Sequence, residues 1–269
     1  MLHNRSAIIY GAAGSLGTAV AKALSKEGAR VFVTGHKLHP VKQLASEIIA
    51  AGSKAEAMEV DALNQQSVND CVNEIVSTAG KLDISFNAIS LRDRQGLPLT
   101  EMTVEDFVRP IRIAMETQFI TSTAAARVME KQRSGVILSL TATPGGMGYA
   151  NVGGFGPACA AIEGLSRDLA CELGPYGVRV VNIRSAGSPD SRVFREAVEQ
   201  GGEKVADFIR KITDDTMLKE LPSTEDIANV AVFLASDKAS KVTGVTIDVT
   251  SGTTSALNYK VTPIAFLHN

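Results

Sequence analysis

Along the chain, short apolar runs alternate with longer segments whose apolar residues return every three or four positions. Ser6-Ala7-Ile8-Ile9-Tyr10 reads as a buried strand, and Leu16, Val20, Ala23 and Leu24 then line one helical face as far as Gly28. Arg30–Thr34 predicts a second strand, Val41–Ala51 a helix, Ala55–Val60 a strand and Ser67–Ala79 a helix. Leu82–Asn87 predicts the fourth strand. Val104, Phe107, Val108, Ile111, Met115 and Phe119 keep a helical stripe, which Pro110 is expected to break or kink near its start. Gly135–Leu140 and Val178–Arg184 predict the fifth and sixth strands, Thr224–Ala235 a helix and Val245–Val249 a last strand. Such alternation implies a parallel sheet with right-handed crossovers and helices on both faces, a doubly wound three-layer α/β/α domain. No linker or repeat divides it.

Composition agrees. Among 269 residues 45% are apolar, enough for a large core, and Trp is absent. A formal net charge of −2 gives no reason to expect nucleic acid or an anionic membrane as partner. Cys71, Cys159 and Cys171 form no C-x-x-C pair, which argues against a disulfide framework or a metal site and fits a reducing compartment. The chain runs at once into a strand pattern, and no apolar run approaches a membrane span, so a cytoplasmic location is expected.

The turn after the first strand, Gly11-Ala12-Ala13-Gly14-Ser15-Leu16-Gly17, carries the clearest chemistry. Its glycines allow a tight turn and a close backbone approach to a pyrophosphate, whose charge meets the N-terminus of the following helix. Strand, turn and helix together predict a Rossmann fold over residues 1–252, with 253–269 as a C-terminal tail. At the end of the second strand, an acidic residue would hold the ribose hydroxyls of NAD(H). Here the segment is Thr34-Gly35-His36-Lys37. His36 and Lys37 suit a 2′-phosphate instead, so NADP(H) is expected over NAD(H); the alternative is that both are solvated loop residues.

The order of motifs resembles the short-chain dehydrogenases/reductases from about Ser6 to Gly252. The landmarks are Gly11–Gly17, Asp61-Ala62, Leu82–Asn87, Ala160–Leu165, Glu172-Leu173, Gly177–Val180 and Phe233–Asp237. The resemblance implies that Asp61 and Ala62 flank the adenine and that Asn87 and Ala88 lie beside the cofactor ribose. It also shows departures. Ser15 stands where the common pattern has its second glycine, with Gly14 one place earlier, and the fourth-strand motif is Asn87-Ala88-Ile89-Ser90. In this family a tyrosine exchanges the substrate proton, a lysine four residues later lowers its pKa, a serine polarises the carbonyl and an asparagine completes a proton relay. Registering the chain on Ala160–Leu165 and Gly135 puts Phe155, Cys159, Ala142 and Ala114 in those four places. Hydride transfer to a carbonyl creates an alkoxide, which needs a positioned proton donor. None of the four supplies the usual group.

Thr141, Thr143 and Tyr149 are the candidate substitutes, and Cys159 reads as a small buried hydrophobe. The expectation is an atypical NADP(H)-binding oxidoreductase acting on a small carbonyl or alcohol beneath the glycine-rich Thr143–Gly156 segment, with Tyr149 or a threonine assisting. The rivals are an inactive NADP(H)-binding sensor or partner subunit, and a purely structural homo-oligomer. Ser188–Leu221 predicts a partly apolar lid. By resemblance, helices near Ile111–Lys131 and Val152–Leu173 pair in a homodimer or homotetramer, burying Ala124, Ala125, Val128 and Ala161.

Overall fold

A computed structural model describes residues 1–255, except the side chains of Gln200 and Lys204. Seven parallel strands lie in the order β3-β2-β1-β4-β5-β6-β7: β1 Ser6–Tyr10, β2 Arg30–Gly35, β3 Lys54–Glu59, β4 Ile84–Asn87, β5 Gly135–Ala142, β6 Val178–Ser185 and β7 Thr246–Val249. The order reverses between β1 and β4, where Tyr10 pairs with Asn87. This switch point opens a crevice at the carboxyl ends of the strands.

Both faces are covered. On one, α1 (Ser15–Lys26), α2 (Leu38–Ala50) and α7 (Thr224–Ala235) pack Val20, Leu24, Val41, Leu44 and Ile227 on the strands. On the other, α3 (Gln65–Ala79), α4 (Val104–Gln132) and α5 (Phe155–Leu173) pack Val68, Val72, Ile75, Met129 and Leu169. Strands buried on two faces become near-continuous apolar runs, which is why β1, β2 and β5 stand out in the sequence.

Three elements depart from expectation. Helix α4 runs unbroken through Pro110, which is buried inside it. The missing hydrogen bond and ring clash cost about 3 kcal/mol. Burial of Ile113, Ala114, Ala124, Ala125 and Met129 on the same helix outweighs that. The fourth strand begins at Ile84 rather than Leu82, because Gln132 takes both backbone groups of Leu82, at 2.9 and 2.8 Å. Finally, the segment read as a lid contains a helix, α6, spanning Arg192–Asp214, with Gly202 at φ 55° and ψ −141° interrupting its helical geometry. Of the predicted tail, Thr253–Ser255 form one 3₁₀ turn, and residues 256–269 lie outside the described residues. No described helix is long and apolar enough to cross a membrane.

Candidate functional site

The crevice is built around the turn from β1 to α1. Gly11 has φ +71°, and a Cβ there would come within 2.7 Å of the Ala88 carbonyl oxygen. A Cβ on Gly17 would lie 2.4 Å from the Gly11 oxygen. Both positions therefore need glycine, Gly11 for its dihedral and Gly17 for the approach of α1 to the turn. Gly14 caps α1 without a side-chain hydrogen bond, leaving the first N–H groups of the helix for an anion. Glycine backbone, open helix N-terminus and flanking cavities fit a dinucleotide pyrophosphate.

A cavity lies on either side of this turn. The first, about 210 Å³, is lined by Tyr10, Gly11, Thr34, His36, Asp61, Ala62 and Arg92, among others. Ser67 Oγ accepts from the Asp61 N–H at 3.2 Å, and Asp61 Oδ1 accepts from the Leu63 N–H at 3.0 Å, so this corner is held by its own backbone. Lys37 is the N-cap residue of α2, exposed beside His36 and not among the lining residues described. Arg92, which sequence reasoning passed over, contributes a guanidinium to the same cavity.

The second cavity, about 360 Å³, brings together Gly14, Ser15, Leu16, Gly17 and Ala88 with Ala142, Phe155 and Cys159. Three of the four residues that the resemblance registers on the family's catalytic places thus line one space. The fourth, Ala114, is fully buried and packs with Ile113, Ala158 and Ile162. Asn87 is buried beneath the cavities: its Nδ2 donates to Thr121 Oγ1 and its Oδ1 accepts from the Ile89 N–H, each at 3.0 Å. It shapes the loop that carries Ala88 and Ile89. Ser15 Oγ accepts from the Arg192 N–H at 3.0 Å, tying the phosphate turn to the start of α6. Phe194 lies on Gly187, where a Cβ would meet its ring at 2.1 Å.

The candidate substitutes do not meet the cavity as expected. Thr141 lines it, but its hydroxyl donates to Glu163 Oε1 at 3.0 Å and accepts from Asn182 Nδ2 at 2.7 Å. Its proton is committed. Thr143 is buried at the start of a 3₁₀ turn, outside the described lining. Tyr149 is half-buried and likewise absent from the residues that line the cavity. Burial pushes the Cys159 thiol up to about 11, with Glu163 and Asp93 adding to the shift against a backbone hydrogen bond from Ala142. It stays a neutral thiol near neutrality. The glycine-rich segment has another purpose: a Cβ on Gly145 would lie 2.5 Å from Glu163 Oε1, and one on Gly146 would lie 2.4 Å from Arg184 Nη1. Those glycines make room for a buried ion pair.

Two further lining residues gave no local signal. Gln118 sits one helical turn after Ala114, is 5% exposed, and its amide makes no hydrogen bond among the described residues. Ser188 is buried with its hydroxyl unpartnered. The Gln118 amide leaves hydrogen-bonding capacity at the cavity wall. Among the described residues, no His, Cys, Asp and Glu side chains cluster in a metal-binding arrangement.

The family model described as enoyl-(acyl carrier protein) reductase matches residues 11–254. Secoisolariciresinol dehydrogenase from Forsythia intermedia is 30% identical over 256 residues, covering 93% of this chain and 89% of the relative. A candidate NAD(P)-dependent gluconate 5-dehydrogenase from Beutenbergia cavernae, solved with NADP bound at low occupancy, superposes with a TM-score of 0.83 at 26% identity, covering 94% of this chain and 97% of the other. NAD⁺-bound xylitol dehydrogenase superposes with a TM-score of 0.86 at 22% identity, over 93% and 99% of the two chains. The chain belongs to the short-chain dehydrogenase/reductase family of NAD(P)-binding oxidoreductases.

Proposed function

We propose that residues 1–252 form a dinucleotide-binding oxidoreductase domain that prefers NADP(H) and lacks the proton-transfer groups its relatives use on carbonyls. The observation that carries this reading is the convergence of Ala142, Phe155 and Cys159 on the cavity beside the Gly14–Gly17 turn. Bound there, the cofactor would supply or accept a hydride. The protein's own part is to hold the pyrophosphate on the open N-terminus of α1, seat the adenosine among Thr34, His36, Asp61 and Ala62, and wall the other end with Leu16, Ala88, Phe155 and Phe194.

The NADP(H) preference rests on charge. No carboxylate follows β2, and His36, Lys37 and Arg92 bring basic groups to or near the adenosine cavity. A charge-assisted hydrogen bond to a 2′-phosphate is worth roughly 1.5–3 kcal/mol. Calorimetric titration should give tighter binding for NADPH than for NADH, and His36→Ala with Lys37→Ala should erase most of the difference. Equal affinities in the unaltered protein would overturn the preference.

The competing reading is a sensor or partner subunit that binds the dinucleotide without turnover. It draws support from the commitment of the Thr141 hydroxyl to Glu163 and from the place of Tyr149 outside the cavity lining. Oxidation of NADPH in the presence of any small substrate separates the two readings.

A further inference from the structure

We propose that the larger cavity selects a positively charged, largely apolar substrate, and specifically a carbon–nitrogen double bond that already carries its charge: an iminium ion. This rests on the dinucleotide reading above and names the substrate class of the same site.

The first observation is a carboxylate. Asp93 lines the cavity, half-buried, and lies close enough to Cys159 for its charge to raise that thiol. Among the described lining residues it is the one carboxyl side chain, and no Lys, Arg or His stands with it. Its loop is fastened from several sides. Arg109 donates to the Arg92 carbonyl at 3.3 Å, Arg94 pairs with Asp106 at 2.8 Å, and the Gly96 N–H donates to the Asn151 carbonyl at 2.8 Å. Asp93 Oδ2 accepts from Gln95 Nε2 at 2.7 Å, which leaves Oδ1 without a hydrogen bond among the described residues. Around it stand Leu91, Phe155, Ile162, Val193 and Phe194. The Asp93 carboxylate among apolar and aromatic walls favours a cation beside it.

The second observation is the missing acid. Reduction of a ketone needs hydride and proton together, because hydride alone leaves an alkoxide. Ala142 and Phe155 have no acidic proton, the Thr141 proton is held by Glu163, and Ser185 donates to the Thr141 carbonyl at 3.1 Å. An iminium carbon has no such requirement. Hydride, with its electron pair, would pass from the reduced nicotinamide to that carbon. The carbon–nitrogen π pair would become the nitrogen lone pair, and a neutral amine and the oxidised dinucleotide would result. No proton enters the balance. The carboxylate holds the cation beforehand, and the reverse step, hydride loss from an amine, would use the same charge to stabilise the iminium product.

The test uses an N-methyl dihydroisoquinolinium ion and methyl dihydronaphthalene, the hydrocarbon of the same shape. Binding to the full chain is measured calorimetrically without cofactor, so the result does not depend on dinucleotide affinity. The cation should bind at least tenfold more tightly than the hydrocarbon. Asp93→Asn should remove that preference while leaving hydrocarbon binding unchanged. With NADPH present, the iminium should be reduced to the amine, and a ketone of the same ring size should not. Equal affinity for cation and hydrocarbon, or a preference that survives Asp93→Asn, would overturn the proposal. Tight cation binding with no NADPH binding would instead sink the dinucleotide reading and leave the cation site standing. Ketone reduction abolished by Asp93→Asn would make Asp93 the proton donor and overturn the iminium assignment.

Discussion

Arg184 of β6 grips Glu163 of α5 through two hydrogen bonds, Nη2 to Oε2 at 2.6 Å and Nε to Oε1 at 3.0 Å. The side chains are 15% and 6% exposed, and Asp248 of β7 takes a third bond from Nη1 at 3.1 Å. Glu163 and Asp248 hold the guanidinium above its ordinary pKa although burial opposes it. The pair joins α5, β6 and β7 below the cavity that contains Cys159, one helical turn from Glu163.

Removing one partner of such a pair leaves a buried charge unmatched, at a cost of about 3–5 kcal/mol. Asp248 still holds Arg184 when Glu163 is removed, so Glu163→Ala should lower the midpoint of urea unfolding by less than that full amount. Replacing both partners with apolar residues of similar size, Glu163→Leu with Arg184→Met, should restore much of it. Gly146→Ala should also destabilise, since Arg184 fills the space its methyl group would need. Unfolding midpoints within error of the original chain for Glu163→Ala would show that the pair contributes nothing net.

The strands were legible in the sequence because a parallel strand covered on both faces has no polar side to interrupt it, as in Ile8-Ile9-Tyr10 and Val31-Phe32-Val33. The N-terminal limit of β4 was not, because Leu82 surrenders its backbone groups to Gln132, fifty residues along the chain. Counting from strand and helix landmarks singled out Ala142, Phe155 and Cys159, which the structure brings to one cavity. Asp93, Arg92, Gln118 and Ser188 could not be found that way. They face a cavity only after the loop following β4 closes against the segment at Asn151, and no local periodicity encodes that meeting. Local composition also misled: Gly145 and Gly146 suggested a ligand loop, whereas they lie over Glu163 and Arg184.

The three cysteines should separate by reactivity. Burial pushes Cys71 up to about 12 and Cys159 up to about 11, while Cys171 is exposed. Alkylation by iodoacetamide near neutrality should label Cys171 first and leave the other two until the chain unfolds. The linked effect on stability has a definite sign. A thiol with an ordinary value of 9.0 ionises in the unfolded chain before it does in the native one. This contribution is complete below that value and is lost as pH rises through it toward the folded values of about 11 and 12. Rapid labelling of Cys159 in the native protein would mean the cavity opens more widely than the structure shows.

Assembly should spare two of the four residues that the resemblance assigned to the interface, while Val128 and Ala161 stay half-buried. Ala124 and Ala125 are 3% and 0% exposed within the subunit core, so they are not free to form an interface. On the outer face of α4, Val104, Val108 and Phe119 are 79%, 38% and 55% exposed. Such a stripe on a long helix suits an isologous contact with a second copy. A dimer or tetramer is the expected species in light scattering at micromolar concentration, and Phe119→Glu should shift it toward monomer. A monomeric starting protein would remove the proposal.

The last prediction concerns the three residues that line the cavity proposed to take the nicotinamide. Ala142, Phe155 and Cys159 share one cavity, so Ala142→Ser, Phe155→Tyr and Cys159→Lys together would place a hydrogen-bond donor, an acid and a cation in the family's arrangement. The new lysine would enter beside Glu163 and within the influence of Asp93, both of which favour its charge; Arg184 opposes it. A general acid is worth about 10²–10⁴ in rate. The triple variant should therefore reduce simple ketones and aldehydes with NADPH at least about a hundredfold faster than the original chain, whose rate should be negligible. Single substitutions should achieve little, because the three groups act as one unit. Calorimetric NADPH binding, measured on every variant, separates a lost cofactor from a lost acid. Robust ketone turnover by the original chain that disappears in Tyr149→Phe would make that phenol the donor, despite its place outside the cavity lining. Turnover that survives Tyr149→Phe, with Asp93→Asn also active, would mean that the proton comes from solvent and that the empty positions carry no penalty.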